Sequence, residues 1–356
     1  MSPAAPTSEH DNDAAPTKRA RVSNDNDQEV TLYQPPPEIE EEEINIRTSS
    51  LAQPTMKLTG HKGSVYTLAY DTEGECLCSG SFDMTCLLWS AGGTCDNFNV
   101  LKGHKNAILD VKWFHDGEKI VTASADRNLG WWDATSGERI KRFMGHEGVV
   151  NAVDCVKEGH APLVISASDD CTARLWDARV RGDVSVLEHE FQVTSIAYSL
   201  DGNTIYTGGI DNCITSWDVR RKEKIMKMTG HKDTITSISL SPNGTHLLSN
   251  SMDGTLQTWD VRPFVTGNQR HDKTFVGGTH NAEKGLLNCS WSSDGSMVTG
   301  GSADRVVHIW DVLSTEELYY LPGHAGCVNS VIFHPKENVI ASGSSDKSIY
   351  VGELAQ

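Results

Sequence analysis

Seven times along the chain a histidine is followed 22 or 24 residues later by an aspartate, and six times a tryptophan lies six residues beyond that aspartate. The units are His61/Asp83/Trp89, His104/Asp126/Trp132, His146/Asp170/Trp176, His189/Asp211/Trp217, His231/Asp253/Trp259 and His280/Asp304/Trp310. In the seventh, His324/Asp346, Gly352 stands where the tryptophan belongs. A period of this length, with Gly-His early and Trp-Asp late, is the signature of a repeat propeller with four strands to a blade. Such a fold offers a broad rigid surface and ordinarily no catalytic centre, so the question becomes which partners it holds.

The repeat implies one all-β domain, a closed seven-bladed propeller over residues 50–356, where length alone would suggest two domains. Residues 1–49 read as a disordered acidic tail. They are rich in Pro, Ala, Asp, Asn and Glu and show no apolar period, so they bury too little surface to offset their ordering entropy. Within that tail Lys18, Arg19 and Arg21 form a compact basic cluster suited to a nuclear import signal. After Gly352-Glu353 too few residues remain for a fourth strand in blade seven. The segment from Leu51 to Leu58, which has no blade of its own, is expected to supply it and seal the ring. The interval from Trp259 to Trp310 is 51 residues against 41 to 44 for the four before it, and the excess reads as a protruding loop over Pro263–Gly278. Asp201-Gly202, Asn243-Gly244 and Asp294-Gly295 read as hairpin turns, dipeptides that tolerate positive φ at both turn positions.

Formal charge is −17, of which residues 1–50, with 11 acids and 4 Lys/Arg, carry −7, leaving −10 for the repeats. Affinity for nucleic acid comes mainly from cationic neutralisation of phosphates, so RNA contact is expected to be indirect. There is no secretory signal and no run of about 18 apolar residues, which points away from membranes. The nine cysteines include no C-x-x-C pair and read as small buried hydrophobes in a reducing compartment.

A histidine near an aspartate invites a catalytic reading. Four residues before each aspartate stands Ser79, Thr122, Ser166, Thr207, Ser249, Gly300 or Ser342. The indoles of Trp89, Trp132, Trp176, Trp217, Trp259 and Trp310 can each join hydroxyl, His and Asp in one hydrogen-bonded chain per blade. Such a chain would satisfy groups that are costly to bury unpaired. A triad serves once in a protein, whereas this set recurs about seven times, so its role is structural. Blade six lacks the hydroxyl and blade seven the tryptophan, and these two are expected to be the least stable. No phosphate loop, metal cluster or unique nucleophile with a base is present, so neither a reaction, a cofactor nor a small-molecule substrate is expected.

Turns holding the aspartates should share a face with the loops holding the histidines. Phe82, Ile210 and Met252 would place apolar groups on that rim and Arg127 and Arg305 would add cations, a combination typical of interface anchors; covering by neighbouring loops is the alternative.

Gly-His, then 22 or 24 residues to Asp, then Trp-Asp resembles the WD40 family across residues 50–354. More particular stretches, WDVRPF (259–264) with its following insertion, LPGHAG (321–326) and SSDKSIYVGE (344–353), are similar to the WD-repeat subunits of the U5 small nuclear ribonucleoprotein. That resemblance implies a nuclear, non-enzymatic pre-mRNA splicing scaffold that docks on the particle's large scaffold protein. A second resemblance rests on Arg179, Arg220 and Arg262, each two residues after Trp-Asp, as in substrate receptors of cullin–RING ubiquitin ligases, where the arginine meets the adaptor. Equally, each arginine can simply end a strand and pair with a nearby acid.

Overall fold

The computed structural model describes residues 49–157, 161–264, 270–280 and 285–354. The proposed import cluster Lys18, Arg19 and Arg21 lies outside them. Every regular element among the described residues is a strand, and the strands form seven four-stranded antiparallel sheets. The innermost strands, Val65–Tyr70, Ile108–Trp113, Val150–Cys155, Val193–Tyr198, Ile235–Leu240, Cys289–Trp291 and Val328–Phe333, pack each against the next and the last against the first. This closed circle makes a seven-bladed propeller.

Six blades follow chain order from inside to outside. In the seventh, the outermost strand comes from the start of the domain: Thr55–Thr59 pairs with Ser348–Glu353, from Thr55↔Gly352 to Thr59↔Ser348. The strand begins at Thr55, later than the expected Leu51. Pro54 has no N–H to give to a ladder, and its carbonyl accepts the Glu353 N–H at 2.9 Å. Leu51 instead bridges Gly93 and is buried with Leu58, Val65, Leu68, Val339 and Ile349. That cluster draws on the sealing segment, blade one and blade seven together. The apolar core is divided in this way between neighbouring blades all round the ring, so the faces of each sheet are buried by its neighbours.

Two local readings are corrected. Pro263–Gly278 is not one loop: His271–Val276 is the outermost strand of blade five, anchored by the fully buried Phe275 against Leu248, Leu256 and Trp310. Residues 265–269 of that stretch lie outside the described ones. The Asp-Gly and Asn-Gly turns have positive φ only at glycine, 67°, 69° and 75° at Gly202, Gly244 and Gly295. At Asp201 the carboxylate accepts the Ser199 hydroxyl at 2.5 Å and the Asn203 N–H at 3.1 Å, so the side chain folds into the turn. Only the glycine then needs the left-handed region.

Truncation tests the seal. A chain starting at residue 49 keeps Thr55–Thr59, Leu51 and Leu58, and its thermal midpoint should match the parent's. A chain starting at residue 60 exposes the edge of Ser348–Glu353 and part of an apolar cluster, and should aggregate on size exclusion. Equal behaviour of the two would refute the sealing role.

Candidate functional site

The histidines lie in the loops entering each blade, and the aspartates in the turns between its second and third strands. In blade one His61 Nδ1 is 3.0 Å from Asp83 Oδ2 and His61 Nε2 is 2.8 Å from Ser79 Oγ, which accepts the Trp89 indole N–H at 2.9 Å. The same four-part chain joins His104, Asp126, Thr122 and Trp132 in blade two, and His146, Asp170, Ser166 and Trp176 in blade three. It joins His231, Asp253, Ser249 and Trp259 in blade five, and every distance in these three blades falls between 2.7 and 3.0 Å. With the carboxylate taking Nδ1–H, Nε2 is left to accept the hydroxyl proton, so the imidazole is neutral. Burial drives the His61, His146 and His231 pKa values down against the opposing pull of their aspartates.

The tryptophans hold more than a place in the polar chain. The sequence singles out Trp132 and Trp176 for their N–H groups, but their rings are core. Trp132 is 1% exposed, buried with Ile108, Val111 and Ile120, and the Arg139 guanidinium lies 5.5 Å over its ring. Trp176 is fully buried with Val150, Val153 and Val164, its ring centre 5.6 Å from that of Phe143. Neither Trp132 nor Trp176 can meet a partner protein, so both belong to the fold and not to a binding surface. Trp259 and Trp310 are buried to the same degree.

This geometry copies a Ser–His–Asp triad without its chemistry. Ser79, Thr122, Ser166 and Ser249 are fully buried, and each hydroxyl oxygen already accepts an indole N–H. No substrate atom can reach them. The aspartate also holds the backbone. The N–H of the residue after the histidine, Lys62, Lys105, Glu147, Lys232 or Ala325, donates to its Oδ2 at 2.8–3.0 Å. Loop and turn are thereby clamped together at one rim of the ring.

In blade seven His324 keeps Asp346 at 3.0 Å and Ser342 at 2.9 Å, and Tyr350 stacks edge-on to its ring where a tryptophan is missing. Two expected pairs do not form. His189 does not meet Asp211, which pairs with Lys227 at 3.0 Å, and Thr207 donates to the Thr215 carbonyl while accepting the Trp217 indole. His280 does not meet Asp304, which is 2.8 Å from His308 Nε2, and the Trp310 indole donates to the Val276 carbonyl because Gly300 offers no hydroxyl. Both His189 Nε2 and His280 Nε2 lack a hydrogen-bond partner among the described residues. Both blades also lack the glycine one residue earlier. A Cβ added at Gly60, Gly145 or Gly230 would sit 3.1, 3.1 or 2.8 Å from the far edge of Trp89, Trp176 or Trp259. Glu188 and Thr279 stand at that position, and the His189 ring centre lies 4.7 Å from that of Trp217, against 5.8–6.0 Å in blades two, three and five. Signals for both failures were present as the missing glycines.

Cross-blade ties were not anticipated. Asp110, in the innermost strand of blade two, accepts the Thr67 hydroxyl at 3.1 Å from blade one and the Val153 N–H at 3.0 Å from blade three. Asp154 accepts the Tyr198 N–H at 2.8 Å across the next seam. A charged residue interrupting an inner apolar strand was their only mark.

The WD domain, G-beta repeat profile matches residues 52–90, 95–133, 137–177, 183–218, 222–260, 273–311 and 315–351. The chain belongs to the WD40-repeat family. Each WD40 match opens with the outermost strand of one blade and continues with the inner three of the next, so the repeat and the blade are out of step by one strand. The U5 small nuclear ribonucleoprotein 40 kDa protein of Dictyostelium discoideum is 50% identical over 309 residues, 86% of each chain. The human protein of that name is 45% identical over 308 residues, again 86% of each. Pre-mRNA-splicing factor cwf17 of Schizosaccharomyces pombe is 43% identical over 309 residues, 86% of this chain and 90% of its own.

On the WD40 rim, Phe82 and Ile210 are 58% and 45% exposed, Arg127 and Arg305 are exposed and Met252 is half-buried. They belong to five different blades, Phe82, Arg127 and Arg305 to blades one, two and six and Ile210 and Met252 to blades four and five. Phe82 packs edge-on to Tyr66, ring centres 6.4 Å apart. Of the three arginines after Trp-Asp, Arg179 holds Asp177 at 2.7 Å and Arg262 holds Asp260, each folded back onto the acid of its own Trp-Asp, while Arg220 is exposed.

Asp170→Ala should destabilise by about 1–3 kcal/mol, since His146, the Glu147 N–H and Thr172 all lose their acceptor. Asp211→Ala removes a surface pair with Lys227 and should cost about 0–1 kcal/mol. Equal losses in denaturant titration would contradict this division.

Acid should unfold the ring in two stages. Burial, reinforced by Lys224, lowers His189 from 6.5 to about 4, so in that window the unfolded chain binds the extra proton and stability falls with pH. Burial would raise Asp170, but hydrogen bonds from Thr172 and His146 outweigh it and hold it at about 2, so its contribution is lost only below 3.8. Thermal midpoints measured from pH 7 to 3 should therefore drop less in His189→Gln than in the parent between pH 6.5 and 4. A parallel fall would show that His189 is not part of the acid response.

Proposed function

We propose that this WD40 protein is a non-catalytic interaction component of the U5 small nuclear ribonucleoprotein acting in nuclear pre-mRNA splicing. The observation that carries the reading is 43–50% identity over 86% of the chain to relatives bearing those names. Its expected direct partner is the particle's large scaffold protein, and the loop-and-turn rim is the docking face. RNA is held by other components, because the repeats themselves are net negative. Residues 1–49 act as an acidic tail, and Lys18, Arg19 and Arg21 supply the nuclear address. Buried His–Asp pairs serve the fold and leave recognition to the surface.

Tagged protein recovered from nuclear extract at moderate salt should bring down U5 small nuclear RNA and the large scaffold protein. Its depletion should leave introns unspliced. Recovery of a cullin adaptor, lost on Arg179→Ala, Arg220→Ala and Arg262→Ala, without any spliceosomal component would sink the reading and favour a ubiquitin-ligase receptor.

A further inference from the structure

In the five clamped blades the loop and turn fix two outward-facing positions, the residue after the histidine and the residue after the aspartate. In blades one, two and seven the first donates its N–H to the aspartate, so Lys62, Lys105 and Ala325 are held at the same rim. The second has a left-handed backbone, with φ of 68° at Met84, 68° at Arg127, 75° at Arg305 and 71° at Lys347. Glycine adopts that conformation without strain, as Gly254 does in blade five, whereas a side chain there is carried at a cost to folding.

Charge at these positions is not evenly spread. Blades six, seven, one and two are consecutive in the ring and carry Arg305, Lys347, Lys62, Lys105 and Arg127. All five are exposed, and none makes an ion pair among the described residues. The aspartates beneath are otherwise engaged: Asp83, Asp126 and Asp346 are 13, 7 and 13% exposed and bound to donors of their own blades, and Asp304, 28% exposed, pairs with His308. At the same positions blades three and four carry exposed Glu147 and Glu190 instead, with exposed Asp169 and Glu188 nearby, and blade five carries the single cation Lys232. Near the middle of the cationic arc stand Phe82 and Met84, 58% and 44% exposed, on either side of Asp83.

We infer that this arc, from Arg305 through Lys62 to Arg127, binds an extended acidic segment of a partner protein that lays one large apolar side chain against Phe82 and Met84. Unpaired cations beside an apolar anchor complement such a segment in charge and in hydrophobicity. Met84, flexible and polarisable, adapts to an aliphatic or aromatic insert. A long uniform polyanion suits the surface less well. It would run from the arc onto the acidic blades, and with screening over about 8 Å those local charges decide the contact. The inference does not rest on the splicing reading: either can fail while the other stands.

The probe is a fluorescent peptide of roughly 12 residues, extended at ~3.3 Å per residue. It alternates Asp and Glu around a central Leu-Phe, and the full chain is titrated by anisotropy. Saturable binding is expected, weakened about tenfold or more by combined Lys62→Glu, Lys105→Glu and Arg127→Glu. Phe82→Ser alone, or Ser-Ser in place of the peptide's Leu-Phe, should also weaken it. Glu147→Lys with Glu190→Lys should not. These side chains are exposed, and unchanged thermal unfolding of each variant would place the loss at the surface. No saturable binding, loss that ignores the arc, or stronger binding of a single-stranded RNA of the same length would each overturn the proposal.

Discussion

The structure depends on closure. No blade encloses its own core: Leu68 and Val65 of blade one pack with Val339 and Ile349 of blade seven and Leu58 of the sealing strand, and the other seams are built alike. A sheet with two apolar faces is stable only when both neighbours are present, so the ring is complete or it is not a ring. The one-strand stagger between sequence repeat and blade enforces this, because every repeat must lend its first strand to the blade before it. Thr55–Thr59 is the same stagger carried round to the start of the chain.

Within that frame the buried hydroxyl is the hub of each complete blade. It takes the indole N–H from one side and gives its own proton to a neutral imidazole on the other, so three polar groups are satisfied where none meets water. The indole that supplies the N–H fills the core with the rest of its ring, as Trp132 and Trp176 do, so one side chain serves packing and polarity together. The aspartate completes the chain at the surface and holds the next loop by its backbone. Blades four and six lack the glycine before the histidine, and in each the aspartate takes a different cation or imidazole. These two are where the polar network is broken. Blade seven, expected to be weak for want of a tryptophan, keeps its His–Ser–Asp chain and adds Tyr350.

The same clamp explains why such a regular scaffold can carry an individual function. In five of the seven blades it presents equivalent rim positions with their backbones held, and the side chains there are free to differ. Here the difference separates a cationic, partly apolar arc from an acidic one, while the polar chains beneath are alike in four blades. On the proposed reading, recognition resides in side chains that contribute little to folding, and in left-handed turn residues that cost it a little.

The number of blades, their order, the ring seal from the start of the chain and the membership of most polar chains were legible in the repeat. These follow from spacing, because a four-stranded unit with a fixed period has one way to bury its faces. It also marked, through the missing glycines before His189 and His280, where the pattern would fail, without saying which contacts would replace it. Only the tertiary structure decided that. Asp304 turns to His308, four residues on along the strand that follows its own turn, and Asp211 meets Lys227 on the adjacent strand, which is close only once the sheet has formed. Asp110 and Asp154 likewise became ties across seams, since a partner some 43 or 44 residues away is invisible to local pattern. Spacing is written along the chain, whereas the choice among partners for a charge is made by distance in space.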